Sequence, residues 1–116
     1  MSELQISFED FKKVEIRVGK ILTAERVDGS DKLIKLEVDF GVNEAREKIV
    51  RQIVAGIGKA YEPENLVGKL CPFVYNLEPK LLKGLESQGM ILCPSNESGP
   101  VLLHPDKEVV SGNVIK

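Results

Sequence analysis

The chain has 116 residues, of which 42% are hydrophobic and 29% charged, the proportions of a soluble globular protein long enough for one core. This composition excludes a disordered or fibrous chain, and the longest apolar runs fall far short of the roughly 20 residues of a membrane-spanning helix. The net charge of −2 argues against a nonspecific polyanion binder. However, residues 48–83 carry six basic and three acidic side chains, so the middle of the chain is basic. The first residues show no secretory signal pattern, and we expect a cytoplasmic protein without a membrane partner.

The inventory of reactive side chains argues against catalysis. The chain has one histidine, His104, and two cysteines, Cys71 and Cys93, too few to assemble the usual zinc-ligand spacings. No serine lies in a G-x-S-x-G elbow, and the Gly56–Lys59 segment lacks the spacing of a phosphate-binding loop. We therefore expect no catalytic residue, no metal and no cofactor.

The N-terminal part predicts a short helix followed by a long strand. Ser7 is a typical N-cap residue, and two phenylalanines three residues apart give the helix an aromatic face that we expect to lie against a sheet. From Val14 onward, apolar residues alternate with polar ones, which predicts the first strand. The alternation slips near Gly19, which suggests a bulge there.

Four further strands follow. Clean alternation over 34–40 predicts a half-buried second strand, and apolar residues on both faces of 49–55 predict a central third strand. Pro63 begins a helical turn, and a fourth strand follows over 70–75. A long connection over 76–89 then leads into the fifth strand, 90–93.

Five strands with short helices predict an all-β fold, a five-stranded Greek-key barrel of the OB type. We assign residues 1–94 to this barrel with its N-terminal helix and residues 95–116 to a C-terminal extension within one domain, 1–116. The extension contains short apolar segments that a complete barrel does not need. It therefore either covers an open edge or pairs with a second subunit, and we expect it to mediate dimerisation.

The two cysteines are predicted to face each other. Antiparallel pairing of the fourth and fifth strands about the 76–88 connection places Cys71 opposite Cys93, at a Cα distance that a disulfide could span. In a cytoplasmic protein we expect this pair to be reduced.

The chain resembles a known family, the tRNA-binding OB domains of methionyl-tRNA synthetases and their stand-alone dimeric relatives. Similar segments are found at residues 6–21, 31–39 and 51–57. The most specific stretch is Asn76-Leu77-x-Pro79-x-Leu81-x-Lys83-Gly84-x-x-Ser87-x-Gly89-Met90-x-Leu92.

The resemblance implies that the domain is a noncatalytic homodimer that binds the outer bend of the L-shaped tRNA and reads shape more than sequence. It would act either as a stand-alone dimer, with tRNA and a second copy of the chain as partners, or as the tRNA-binding subunit or domain of a methionyl-tRNA synthetase, with the catalytic chain as a further partner. Carried over by position, the RNA-facing residues are Lys32, Arg51, Lys80, Lys83, Ser87 and Met90.

The residues alone leave alternatives open. The lysines could simply be solvated, Ser87 is equally well a turn residue, and periodicity favours packing of Met90 in the barrel; the resemblance favours RNA contact for all of them. Most of the six aromatic rings fall on core-facing positions, with Tyr75 left open, which favours folded RNA over single strands. The alternative function is that of an OB-fold export chaperone that binds unfolded polypeptide, although such chaperones typically lack the Ser-x-Gly-Met element that is intact here.

Overall fold

A computed structural model describes residues 4–116 of the chain. These residues form ten short or medium strands, one helix and one 3-10 turn. In chain order, the elements are α1 Phe8–Phe11, β1 Ile16–Arg26, β2 Ile34–Val42, β3 Lys48–Ala55, the 3-10 turn Pro63–Asn65, β4 Leu70–Val74, β5 Lys80–Leu82, β6 Leu85–Ser87, β7 Met90–Ile91, β8 Ser95–Asn96, β9 Gly99–Pro100 and β10 Val114–Ile115.

The main sheet is antiparallel and has the strand order β3-β2-β1-β4-β7. The long strand β1 changes partner along its length, because β2 pairs with residues 20–26 and β10 pairs with residues 16 and 17. The sheet curls on itself into an OB-fold-like barrel, which confirms the predicted fold class. The five strands of this path correspond to the five predicted ones.

The alternation predicted for β2 is confirmed by burial. Ile34, Leu36 and Val38 are fully buried, and Phe40 is 1% exposed. The Phe40 ring meets Phe73 of β4 edge-on, with centroids 5.5 Å apart. The core therefore lies inside the curl of the sheet, where the aromatic rings of two strands meet.

Gly19 allows these core side chains to approach the backbone of β1. A Cβ atom on Gly19 would lie 2.4 Å from Val38 Cγ1 and 2.8 Å from Phe40 Cε1. The strand is regular at Gly19, and the bulge occurs later, between Ile21 and Thr23. A bulge is therefore present in β1 as predicted, but not at Gly19. Gly19 is a glycine because the core side chains leave no room for a Cβ atom, while the bulge adds a residue where the strand bends into the barrel.

The C-terminal extension packs onto the outside of the barrel. Val18 N donates to Asn113 O at 2.9 Å, and Gly112 N donates to Val18 O at 2.7 Å. Leu102 is 8% exposed, and its backbone N donates to the hydroxyl of Tyr61 at 3.0 Å. The extension thus continues the main sheet beside the first half of β1 and adds Leu102 to the core.

The connection over 76–89 contains an unpredicted hairpin. Strands β5 and β6 pair from Lys80 with Ser87 to Leu82 with Leu85. The two residues between them, Lys83 and Gly84, both have positive φ, 52° and 78°. A two-residue turn of this kind matches the twist of the strands, but its usual signal is Asn-Gly, so the Lys-Gly pair concealed it.

The predicted N-terminal helix is present, and Ser7 Oγ accepts a hydrogen bond from Asp10 N at 3.0 Å. The expectation that its aromatic face lies against the sheet was wrong, because Phe8 is 70% exposed and Phe11 39%. A helix of four residues fixes too few side chains to be drawn onto the barrel. No helix among residues 4–116 is long and apolar enough to cross a membrane.

The predicted register of the two cysteine-bearing strands is confirmed. Phe73 pairs with Ile91 and Val74 with Met90, and the same register places Cys71 opposite Cys93. Both thiols are free in the structure. Burial, with a smaller contribution from Cys93, raises the pKa of Cys71 to about 11, so this thiol is protonated and unreactive at neutral pH. That the pair is reduced in the cell stays a prediction.

Candidate nucleic-acid interface

Residues 87–89, at the end of β6 and directly after it, close the barrel with side chains as well as backbone, and we call them the closing segment. Ser87 Oγ accepts a hydrogen bond from Val54 N at 3.0 Å and donates to Gly89 O at 3.0 Å. Gln88 N donates to Gln52 O at 2.8 Å, and Gln88 Oε1 accepts from Gln52 N at 2.9 Å. These contacts satisfy the outer edge of β3 where no further strand pairs with it.

Asn76 and Gly89, near the two ends of the stretch 76–92, also hold the backbone in place. Asn76 Oδ1 accepts from Glu15 N, and Asn76 Nδ2 donates to Lys13 O, both at 2.8 Å. A Cβ on Gly89 would lie 2.9 Å from Val74 O, so the backbone at this position has no room for a side chain. The stretch therefore holds the hairpin and the following residue in place against β3 and β4.

This scaffold presents three of the six predicted site residues on the surface. Lys80 and Lys83 are exposed on the hairpin, and Met90 is 45% exposed directly after the closing contacts. Among the described residues, neither lysine has a carboxylate within ion-pair distance. Met90 is thus available for contact, and the packing role that periodicity favoured for it is not observed.

Ser87 differs from these three residues. Its side chain is inside the protein, with the residue 5% exposed, and its hydroxyl donates one hydrogen bond and accepts another from the backbone. The structure therefore gives Ser87 a positioning role, in which it sets the path of the chain leading to Met90.

Arg51 lies at one end of the barrel against Tyr75. Its guanidinium carbon is 3.6 Å from the centroid of the Tyr75 ring, and its Nη1 donates to Tyr75 O. Arg17 approaches the same ring at 4.7 Å and also pairs with Glu15. The carbonyl of Tyr75 takes one of the five N–H donors of the Arg51 guanidinium. The guanidinium is half-buried and stacks on the Tyr75 ring as a cation–π contact.

Lys32 lies in a different part of the surface. Its backbone carbonyl accepts from Gly58 N at 2.7 Å, and its side chain packs over Gly56, with Cε 2.9 Å from where a Cβ would stand. It lines a cleft of about 380 Å³ together with Lys59 and residues of the β8–β9 hairpin, including Glu97. The six residues thus fall at several points around β3 and do not form one compact cluster.

Sequence reasoning missed two groups at this surface. The alternation of apolar and polar residues places Arg17 and Lys35 on the polar side of their strands and predicts nothing further for either. No sequence signal distinguishes Arg17, because its contact with Tyr75 depends on which side of β1 faces the core. Lys35 has no signal either, because its neighbourhood depends on the unpredicted hairpin.

Two reactive side chains meet away from the hairpin, where His104 Nδ1 lies 3.9 Å from Cys71 Sγ. No group of three or more His, Cys, Asp or Glu side chains among the described residues could hold a metal ion. His104 is exposed, and its Nδ1 lies 2.8 Å from Leu70 O. The groups that the hairpin surface presents are the ammonium groups of Lys80 and Lys83 and the exposed thioether of Met90.

Comparison with known proteins decides the family. The model of a family described as "Putative tRNA binding domain" matches residues 16–114. The chain belongs to this tRNA-binding domain family. The match includes β1, β3, the hairpin and the closing segment, which are the elements that position the site.

The curated relatives of this tRNA-binding domain include methionine–tRNA ligases. The chain is 52% identical over 110 residues to the enzyme of Caldanaerobacter subterraneus subsp. tengcongensis, and 46% identical over 113 residues to that of Helicobacter pylori strain J99. These alignments cover 95% and 97% of this chain but 16% of each enzyme. The chain is therefore homologous to one region of these ligases and spans about a sixth of their length.

Solved structures similar to this domain include proteins of two functional descriptions. A MetRS-related protein from Pyrococcus horikoshii matches with a TM-score of 0.86 and 38% identity, over 97% of this chain and 99% of that one. The chaperone CsaA from Bacillus anthracis matches with a TM-score of 0.82 and 33% identity, over 97% of this chain and 100% of that one. The fold is shared by both, so the surface residues must distinguish their functions.

Proposed function

We propose that this domain is a noncatalytic module that binds folded tRNA at its outer bend and serves a methionyl-tRNA synthetase. Family membership and the unpaired cations on a rigidly held hairpin support the proposal. Lys80 and Lys83 would meet phosphates, and Met90 would lie on a base or sugar surface. The proposal applies to the module either as a separate protein or as part of a longer synthetase chain.

The observation that carries this proposal is the construction of the hairpin. Lys83 occupies a left-handed conformation that non-glycine residues adopt at a cost, yet a lysine stands there with no anionic partner among the described residues. Its neighbours in the closing segment are fixed by hydrogen bonds to β3. Such an arrangement fixes the backbone from which the Lys83 side chain extends, as recognition of a polyanion of fixed shape requires.

The hairpin surface has no exposed aromatic ring, since the exposed rings Phe8 and Phe11 belong to α1, and this supports binding of folded RNA in preference to single strands. Phe40 and Phe73 lie in the core, and Tyr75 is enclosed by two guanidinium groups. Proteins that bind single strands generally stack successive bases on exposed rings. We therefore expect this surface to read the arrangement of phosphates on a folded molecule.

The salt dependence of tRNA binding tests the proposed contact at Lys83. We expect Lys83→Ala to weaken binding of all tRNAs alike and to reduce the slope of log affinity against log salt by about 0.7–0.9, since one phosphate contact is lost. The measurement is a titration of labelled tRNA from about 50 to 200 mM salt. Lys107→Ala, in the C-terminal extension, is the matched control, and an equal slope for the two variants would contradict the contact.

We further propose that the domain is a homodimer, in which the C-terminal extension and α1 of two copies meet. Exposed apolar side chains surround two adjoining grooves, of about 310 and 350 Å³, on this side of the barrel. They include Phe8, Val14, Leu103, Val109, Val114 and Ile115. An isolated domain would leave this apolar surface in water, where it favours association.

A single substitution tests the dimer without disturbing the barrel. We expect Phe8→Ser to convert a dimer into a monomer, because the Phe8 ring is 70% exposed in the isolated chain and contributes little to its core. The measurement is sedimentation velocity at several concentrations. Leu81→Ser, at an equally exposed site on the hairpin, is the control and should remain dimeric. A clean dimer for Phe8→Ser would show that α1 lies outside the interface.

The second candidate function is binding of unfolded polypeptide. The similarity to CsaA, at 33% identity over almost the whole chain, favours it, and the apolar grooves offer a surface for extended peptides. We rank it below tRNA binding because the Ser87-Gln88-Gly89-Met90 element is intact and holds Met90 at the surface.

A further inference from the structure

A cleft lies below the tip of the β5–β6 hairpin. Of the six predicted site residues, only Lys83 lines it. The cleft has a volume of about 400 Å³ and lies between the hairpin and the strands β1 and β2. Lys83 and Leu85 form one wall, and Glu25, Arg26 and Lys35 contribute to the other. We call this concave surface the hairpin cleft.

The three cations of the hairpin cleft are bound to the protein to very different degrees. Arg26 Nη2 lies 3.1 Å from Glu62 Oε2, and Arg26 Nη1 donates to Gly58 O at 2.9 Å, so this guanidinium serves the fold. Lys35 has a single ion-pair partner among the described residues, Glu25 Oε1 at 2.7 Å. Lys83 has none there.

The position of the Glu25–Lys35 ion pair allows Lys35 to exchange Glu25 for another anion. The two residues are direct partners across β1 and β2, and the Glu25 side chain is 65% exposed. The other carboxylate near Lys35 is that of Glu37 on β2. Its Oε1 accepts a hydrogen bond from Thr23 Oγ1 at 2.9 Å. Glu25 raises the pKa of Lys35, so the ammonium is fully charged at neutral pH. A solvated ion pair of this kind contributes little stability and gives up its cation readily.

We propose that the hairpin cleft forms the phosphate site at Lys83, in which Lys35 joins Lys83 in binding one phosphodiester of the tRNA and Glu25 is the anion that the phosphate displaces from Lys35. This inference rests on the proposed function. Two lysines that line one concavity match the charge and the dispersed oxygens of a phosphodiester better than one. Glu25 and Asp28, the acidic residues of the same cleft, limit binding to anions that bring several contacts at once.

The test compares two charge changes that act in opposite directions. We expect Lys35→Met to weaken binding of labelled tRNA about threefold or more at 150 mM salt and to reduce the salt slope by less than the value of about 0.7–0.9 for a whole phosphate, because Lys83 still contacts the same phosphodiester. Glu25→Gln should tighten binding by a similar factor, because Lys35 is then free. In the Lys35→Met background, the gain from Glu25→Gln should disappear, which a general effect of net charge would not produce.

Matched variants distinguish this site from long-range electrostatics and from failure of the proposed function. Lys107→Met and Glu108→Gln make the same charge changes in the C-terminal extension, and both should leave affinity within about a factor of two. If Lys35→Met matches Lys107→Met, or if Glu25→Gln tightens binding equally in both backgrounds, the cleft inference is wrong. If the parent domain binds no tRNA at all, the proposed function fails instead. Circular dichroism melting should show all five variants folded, because Glu25, Lys107 and Glu108 are exposed and the half-buried Lys35 is replaced by an apolar side chain of similar length.

Protection from acetylation provides an independent readout. With an acetylating reagent and mass spectrometry, Lys35 and Lys83 should both lose reactivity when saturating tRNA is added, while Lys107 should not. Continued acetylation of Lys35 in the complex would overturn the cleft inference even if affinities changed.

Discussion

Replacement of Ser87 by alanine should lower the free energy of unfolding by about 1–3 kcal/mol, because it leaves Val54 N and Gly89 O without their partner inside the protein. Urea denaturation monitored by circular dichroism measures this loss. Affinity for tRNA should fall at the same time, with the salt slope unchanged, since no charge is removed and Met90 is displaced. The variant therefore separates positioning from phosphate contact.

Ser98→Ala is the matched control for this experiment. Ser98 is exposed in the turn between β8 and β9, so its replacement should change stability by less than about 0.5 kcal/mol. If Ser87→Ala is no more destabilising than Ser98→Ala, the hydroxyl of Ser87 does not close the barrel. A direct contact with RNA would then be the better explanation of this residue.

Gly19→Ala should be at least as damaging, at about 1–3 kcal/mol, because the added methyl group meets Val38 Cγ1, Phe40 and Phe73 at 2.4, 2.8 and 3.0 Å. None of these side chains can move aside without disturbing the core. The measurement is again the urea midpoint and slope of the purified protein.

A double-mutant cycle provides the control for Gly19. Val38→Ala removes the atom nearest to the added methyl group, so the double variant Gly19→Ala/Val38→Ala should be more stable than the sum of the two single losses by about 0.5 kcal/mol or more. Strict additivity would mean that the close approach at Gly19 is not what excludes a side chain there.

The local periodicity of apolar residues was sufficient to predict much of the barrel. The alternation of β2 predicted its buried face, and the spacing of Cys71 and Cys93 about the connection predicted the register of β4 and β7. These features depend on neighbouring residues in the chain, or on a single turn between two strands. The bulge was placed three residues early because Gly19 had a different reason to be glycine.

The site was less accessible to sequence reasoning, because its geometry depends on contacts between distant segments. The resemblance identified the stretch from Asn76 to Met90, but it could not separate residues that hold the stretch in place from residues on its surface. Ser87 belongs to the first kind and Met90 to the second. The hairpin was missed because Lys83 occupies a position where asparagine or glycine is usual, and with it the cleft containing Lys35.

The distinction between the two candidate functions depends on what competes for this surface. Binding of a folded polyanion depends on fixed cations, and its affinity falls steeply as the salt concentration rises. Binding of unfolded polypeptide depends on apolar surface, and its affinity does not fall with salt in this way. The hairpin and the apolar grooves involve different residues, so one ligand should not displace the other from its own site.

The most direct test of the account is a competition experiment on the unmodified domain with fluorescently labelled, folded tRNA as the probe. Unlabelled folded tRNA should displace the probe. A linear RNA of the same length and a reduced, unfolded polypeptide should compete at least about tenfold less well. The affinity should fall steeply between 50 and 200 mM salt. Equal competition by linear RNA would contradict shape recognition, and displacement by the unfolded polypeptide with no dependence on salt would contradict tRNA binding as the function of this surface.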